Sequence, residues 1–370
     1  MAGTGVTGEF TLPASLEAAV PPEARGLRRD QVRLLVSRVS DNAVEHGRFS
    51  DIHRWLDAGD LLVVNTSGTL NAALSAVAAD GGEFELHLST ELPGGFWTVE
   101  LRSPGERASL PYRGALAGTR YLLPAGGEVT LLAPYPLTGA VHSESRLWMA
   151  ALQVPGELIR YLERHGFPIR YKYVRERWPS AMYQTVFATE FGSAEMPSAG
   201  RPFTPELVTG LVSRGVQVAP LLLHTGVASL EDHEPPYEEY FRVSRATAEQ
   251  VNATRSAGRR VIAVGTTVVR ALETVTDDRG ITSPGQGWTD VVVSSQRPVR
   301  SVSGIITGLH EPRATHLMML EQVIAAAMRS RSSRGASSGE AARHLEQAYA
   351  EAMHHEYLWH EFGDSHLIIA

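Results

Sequence analysis

The chain contains no cysteine, which removes disulfides, zinc-thiolate sites, iron–sulfur clusters and thiol nucleophiles together, and makes a reducing cytoplasm the simplest expected location. Lysine is nearly absent too: Lys172 stands alone and every other basic residue is arginine. Its flanks, Arg170-Tyr171-Lys172-Tyr173-Val174, are not the glycine-rich loop that cradles a nucleotide phosphate, so a P-loop is excluded. No run approaches eighteen apolar residues and the start lacks a basic segment followed by an apolar one, so neither a membrane span nor an export signal is expected. Positive charge is also short: 34 basic against 41 acidic residues give −7, so nothing draws polyanions to the whole surface and nucleic acid would need a local basic face. No G-x-S-x-G elbow is present to anchor serine hydrolase chemistry.

What remains has globular composition, 43% hydrophobic and 20% charged, and its 370 residues suit two domains or one domain carrying an insertion. Segments around Arg33-Leu34-Leu35-Val36 and Leu61-Leu62-Val63-Val64 read as strands, with a short helix between them ending at Gly59. From about Leu74 the texture becomes alternating, as in Phe84-Glu85-Leu86-His87-Leu88 and Trp97-Thr98-Val99-Glu100-Leu101, punctuated by Gly81-Gly82, Gly94-Gly95 and Gly126-Gly127. These hairpins predict a small antiparallel β-barrel over 74–152. It would be inserted in a discontinuous α/β main domain, 1–73 with 153–370, built on a mixed or parallel sheet. Within the second half the expected order is a helix over about 155–165, helix and strand alternating from 203 to 273, and a strand at 290–293. Helices from about Thr315 to Met328 and from about Glu340 would end the chain, with a mobile linker at 329–339.

Two apparent motifs carry little. Gly3-Thr4-Gly5-Val6-Thr7-Gly8 spells a dinucleotide fingerprint, but no strand precedes it to aim the turn. His355 and His360 are one residue too far apart for a zinc H-E-x-x-H on one helical face, and no other histidine pair has clean ligand spacing, so no metal is expected. Val261-Ile262-Ala263-Val264-Gly265-Thr266-Thr267 differs in quality. A buried strand runs into a turn and a helix, which suits an anion at the helix N-terminus or, equally, an ordinary helix closed by Thr266 or Thr267.

Around that turn the residues resemble a known family. Tyr183-Gln184-Thr185-Val186-Phe187-Ala188, Gly192-Ser193, Pro197-Ser198-Ala199-Gly200 with Phe203-Thr204, and Leu223-His224 with Gly226 come first. They are followed by Gly265 to Arg270, Gly287-Trp288-Thr289-Asp290, Leu309-His310 and Phe362-Gly363-Asp364. In this order, over nearly the whole chain, they are similar to the S-adenosylmethionine:tRNA ribosyltransferase-isomerase family of queuosine biosynthesis. The resemblance implies an α/β fold interrupted by a small barrel. It also implies transfer and isomerisation of the ribosyl part of S-adenosylmethionine onto 7-aminomethyl-7-deazaguanine in tRNA, giving epoxyqueuosine and releasing adenine and methionine. Carried over by position, Tyr183, Gln184, Thr185, Ser198, Ala199, Gly200, Phe203, Gly265, Thr266, Thr267 and Arg270 would surround the S-adenosylmethionine. His224 and His310 would move protons, and Asp290 would orient one of them.

Departures accompany the matches. Where the family reads N-D-T-R-V-I-P-A-R-L, the chain has Asn65-Thr66-Ser67-Gly68-Thr69-Leu70-Asn71-Ala72-Ala73-Leu74. Its P-T-A-G-L-H-F-T becomes Pro197-Ser198-Ala199-Gly200-Arg201-Pro202-Phe203-Thr204, and N-F-H-L-P becomes Gly308-Leu309-His310-Glu311-Pro312, losing an asparagine and gaining an acid. Fewer phosphate-binding groups leave the acceptor open. It is tRNA by default, with Arg329, Arg331 and Arg334 as one basic face. The alternatives are a small molecule in a diverged relative that keeps the sulfonium site, or no reaction at all in a binding protein of the same fold.

Overall fold

The computed structural model describes residues 10–105, 108–136, 145–227, 237–312, 314–331 and 338–370. The glycine run at 3–8 and Arg334 with the rest of 332–337 lie outside the described residues, as does the side chain of Arg331.

The Leu61–Asn65 strand is buried at every position, and its uninterrupted apolar text is what a parallel strand covered on both faces requires. It pairs in parallel with Gln217–Leu223 on one side and Val261–Val264 on the other, and Gly304–Gly308 extends the parallel set beyond Val264. Ser365–Ile369 then runs antiparallel to Gly304–Gly308, so the strand direction reverses at that boundary. Arg33–Arg38 and Ala43–Arg48 complete that flank, and Glu239–Val243 and Gly285–Thr289 form the other, nine strands in all. Because side chains alternate across a strand, Leu61, Val63, Val261 and Ala263 pack on one face. There they meet the apolar sides of the helices Arg245–Ser256, Thr266–Thr274, Thr315–Arg331 and Ser338–His354. Leu62, Val64, Ile262 and Val264 pack on the other face with Phe49, Ile52, Phe203 and Leu211.

Helix starts follow cap chemistry. Thr204 accepts from the Leu207 amide ahead of Pro205, and Ser244 accepts from the Thr247 amide. Gly265, by contrast, begins Thr266–Thr274 with φ +100° and no side-chain cap.

The insertion is a closed antiparallel barrel. Ala73–Ala78, Glu83–Leu92, Phe96–Ser103, Leu147–Gln153, Gly127–Tyr135 and Arg120–Leu123 pair in a ring, with Leu110–Pro111 added to Phe96–Ser103. Leu74, Leu86, Leu88, Val99, Leu101, Val129, Leu131 and Trp148 fill it. Gly81, Gly94, Gly95 and Gly126 all adopt positive φ, as turns at those pairs require.

Four expectations are corrected. The helix before Gly59 is a 3-10 helix, Phe49–Arg54, and Gly59 with φ +93° serves the turn into Leu61. The strand expected at 290–293 is instead Gly285–Thr289. It stops there because the Thr289 hydroxyl takes the Val291 amide and Arg270 takes the Val291 carbonyl, which leaves no ladder to continue. The helix expected to end at Met328 runs on to Arg331, and the last helix begins at Ser338.

His366, fully buried on Ser365–Ile369, faces the Ser37 hydroxyl at 2.9 Å, and burial followed by the nearby His344 pushes its imidazole down to about 3. Its folded-state value lies below the unfolded one, so its contribution is complete above about pH 6.5 and is lost as the pH falls toward 3. His366→Met should therefore flatten the fall of unfolding free energy by about 1.4 kcal/mol per pH unit between pH 6 and 4. Urea titrations at pH 6, 5 and 4 measure this, and parallel curves for the two proteins would refute it.

Candidate functional site

The carboxyl ends of the four parallel strands share one edge of the sheet, where ligands of open α/β sheets bind. Asn65, at the end of the central strand, organises that edge. Its amide nitrogen donates to the Leu223 carbonyl at 2.8 Å and faces the Thr267 hydroxyl at 3.4 Å, while its amide oxygen accepts from the Ser67 and Leu223 amides. One side chain thus ties together the strand that carries His224, the turn after Val264 and the segment that follows itself. The Asn65 motif departs from the family text, and its role is not visible from spacing, because its partners are 158 and 202 residues away.

Next to it, Ser67–Thr69 forms a short parallel pair with Glu190–Ser193. The Ser67 hydroxyl lies 2.7 Å from His224 Nδ1 and 2.6 Å from the Ser193 hydroxyl, which accepts from the Thr225 amide. Gly192 lies against the imidazole so closely that a Cβ there would come within 2.5 Å of the ring. Burial lowers the basicity of His224, Glu190 opposes that shift and Arg242 adds to it. A largely neutral imidazole anchored through Nδ1 leaves Nε2 for proton exchange.

His310 sits at the end of Gly304–Gly308, three strand spacings or about 14 Å across the sheet from His224. Its Nε2 lies 2.7 Å from the Thr307 hydroxyl, its ring stacks on His316 at 4.6 Å, and its basicity is far below normal because of burial and then His316, His360 and His366. The two histidines therefore flank the Gly265 turn without sharing a proton. Asp290 is exposed and bonds neither of them.

The segments expected around S-adenosylmethionine converge, though not every side chain faces outward. Gly200 packs on Thr185, and the position of a Cβ on Gly265 is 3.4 Å from the Ala199 methyl, so the 183–185, 198–200 and 265–267 stretches touch. Neither threonine caps the helix. Gly265 takes the cap position, so no side chain occupies the first-turn amides. Gln184 clamps Thr69, accepting from its amide at 3.0 Å and donating to its carbonyl at 2.7 Å, and Thr69 in turn donates to the Tyr183 carbonyl at 2.8 Å. Phe203 is fully buried edge-on between Phe49 and Phe187. Arg270 is committed to an ion pair with Glu239 and to the carbonyls of Val291 and Thr289. Gln184, Phe203 and Arg270 thus shape the edge from behind. The Tyr183 hydroxyl is buried without a hydrogen-bond partner among the described residues, and burial pushes it up to about 12.

A small, largely enclosed cavity with room for about one water lies beside these segments, where the sheet direction reverses. Ser198, Ala199, Pro202, Gly308, His360 and Glu361 are among its lining residues. Burial pushes the Glu361 carboxyl up to about 7. In the sequence His360 drew notice only as half of a pair with His355 that misses zinc spacing, and Glu361 did not stand out.

The chain matches the family described as "Queuosine biosynthesis protein" over residues 7–368. It is 34% identical to the S-adenosylmethionine:tRNA ribosyltransferase-isomerase of Moorella thermoacetica and 33% identical to that of Carboxydothermus hydrogenoformans. In both cases the match covers 98% of each chain. A crystal structure of S-adenosylmethionine tRNA ribosyltransferase from Thermotoga maritima is 27% identical, covers 97% of this chain and 99% of its own, and superposes with a TM-score of 0.49. With the match to the family running almost end to end, this chain belongs to the queuosine biosynthesis protein family.

Proposed function

We propose that this protein is an S-adenosylmethionine:tRNA ribosyltransferase-isomerase, moving the ribosyl part of S-adenosylmethionine to 7-aminomethyl-7-deazaguanine in tRNA to give epoxyqueuosine, adenine and methionine. The observation that carries the reading is identity of 34% sustained over 98% of both chains with a relative bearing that name. The meeting of the 183–185, 198–200 and 265–267 segments supports a single S-adenosylmethionine site there.

In this reading S-adenosylmethionine lies along the carboxyl edge with its carboxylate toward the uncapped amides after Gly265. The sulfonium acidifies the adjoining ribose methylene, so a base must take a proton there, and adenine must be protonated or hydrogen-bonded as it leaves. Neutral His224, held by Ser67, would accept the first, and His310, whose basicity is far below normal, would assist the leaving adenine by a hydrogen bond and not as an imidazolium acid. Among the described residues no helix is long and apolar enough to cross a membrane, and the enzyme would work in the cytoplasm, where tRNA is modified.

One observation favours a small-molecule acceptor. Glu311, the acid gained in the family's N-F-H-L-P motif, is close to Glu17, and carboxylates there would repel tRNA phosphate. Purified protein incubated with S-adenosylmethionine, with and without tRNA carrying the deazaguanine, separates the readings. Adenine and methionine released only with that tRNA is the expected result. Release without tRNA would transfer the assignment to a small-molecule reaction, and binding without turnover would leave a binding protein.

A further inference from the structure

The one lysine of the chain and the acid gained at position 311 meet at a buried histidine. His360 Nε2 lies 3.8 Å from Glu311 Oε1 and 3.9 Å from Glu17 Oε1, and the three candidate ligand atoms all fall within 4.8 Å of one another. The His360 side chain is only 7% exposed, yet Nε2 has no hydrogen-bond partner among the described residues. Backbone pairing holds the group together: Trp359 donates to Leu16, Ala18 donates to Trp359, and His360 donates to Leu309. Glu17 and Glu311 are thereby brought against His360 from two sides. The imidazole plane is fixed by Tyr173, stacked at 4.1 Å and 13°. His360 also has φ +73°, a left-handed conformation that costs a non-glycine residue and persists at sites where the surroundings enforce it.

We propose that Glu17, Glu311 and His360 form a binding site for a divalent first-row transition ion, with the Lys172 ammonium as its competitor. A buried imidazole nitrogen lacking a donor, aimed between two carboxylates, has the nitrogen and oxygen set that zinc takes in three-ligand sites with an open fourth position. Magnesium and calcium, which select oxygen ligands, are disfavoured by the imidazole. Tetrahedral zinc would bring the ligand atoms to about 3.3 Å apart, so the two carboxylates must close on the imidazole by about 0.5 Å and on each other by up to about 1.5 Å. Glu17 and Glu311 are 27% and 46% exposed and free to do so. Lys172 Nζ, 3.5 Å from Glu311 Oε1 on a side chain 71% exposed, now supplies the positive charge and can swing into solvent. His360 also lines the small cavity beside Ser198 and Gly308, so the ion would lie near the segments proposed to hold S-adenosylmethionine. The inference rests on this geometry and not on that activity.

The test uses untagged full-length protein stripped with chelator, titrated with Zn²⁺ by calorimetry and analysed for metal after desalting, with Co²⁺ absorption reporting coordination. A second, more exposed group, His46, Glu351 and His355, supplies the control. One zinc should be retained by wild type and by Glu351→Gln, and affinity should fall at least tenfold in His360→Ala and in Glu311→Gln. Lys172→Met should bind several-fold more tightly, a gain that misfolding cannot imitate. Absence of a retained zinc would overturn the proposal. So would retention unaffected by His360→Ala and Glu311→Gln, loss on Glu351→Gln, or unchanged affinity in Lys172→Met.

Discussion

His224→Asn should lower turnover 10²- to 10⁴-fold, the range over which positioned acid–base groups act, while unfolding in urea stays near that of wild type. The Nδ1 contact with Ser67 at 2.7 Å, the Ser193 hydroxyl 2.6 Å beyond and the close approach of Gly192 orient the ring more tightly than packing needs. Asparagine can keep a polar contact with Ser67 but has no nitrogen that accepts a proton near neutral pH. KM for S-adenosylmethionine should change little, because the loss falls on the chemical step. Since burial lowers the histidine's basicity, the acid limb of the wild-type rate profile should lie below pH 6.5 and vanish in the variant. Ser67→Ala should cost about tenfold by loosening the ring. Turnover of His224→Asn within threefold of wild type would remove His224 from the chemistry.

The second large effect is on stability. Asp364 closes the Phe362-Gly363-Asp364 motif with its side chain 5% exposed. It accepts from the Arg33 amide at 2.8 Å, from Arg33 Nε at 3.0 Å and from the Leu358 amide at 2.8 Å. Arg33 continues to the carbonyls of His355 and Glu356, so one carboxylate joins the first sheet strand to the turn before the last. Asp364→Ala would leave the Arg33 and Leu358 amides without their acceptor, while the part-exposed Arg33 guanidinium keeps its two carbonyls, a cost of about 2–4 kcal/mol. Asp364→Asn keeps the shape and one acceptor oxygen and should cost about half as much. Urea unfolding at pH 7 measures both, and a loss below 1 kcal/mol in Asp364→Ala would show that the network is not holding the two ends together.

Local text decided much of the architecture. The run Leu61-Leu62-Val63-Val64 reads as a strand covered on both sides because no position tolerates water, and alternation from Phe84 to Leu101 reads as barrel wall because every second residue is polar, although His87, Thr98 and Glu100 prove to be buried as well. Gly265 was legible as a special turn, and its φ of +100° is the reason a glycine stands there. Side-chain roles were less legible. Gln184, Phe203 and Arg270 lie in the matching motifs, but they bond or pack inward because their partners, Thr69, Phe49 and Glu239, come from remote segments. Val291 and Val293 have strand-forming side chains, yet at the sheet margin Thr289 and Arg270 take the backbone groups of Val291 that a neighbouring strand would need.

What this sequence determines by itself is what depends on neighbours along the chain: strand against helix, the positions of turns, the inserted barrel, and membership of a family whose segments recur in order. The tertiary structure alone decided which polar side chains meet. Asn65 with Thr267, Ser67 with His224, and Glu17 with Glu311 and His360 are joined by strand pairing and chain crossing over separations that no periodicity records. Hydrogen bonds and ion pairs act over a few ångströms of space, and only the folded sheet brings those residues within that range.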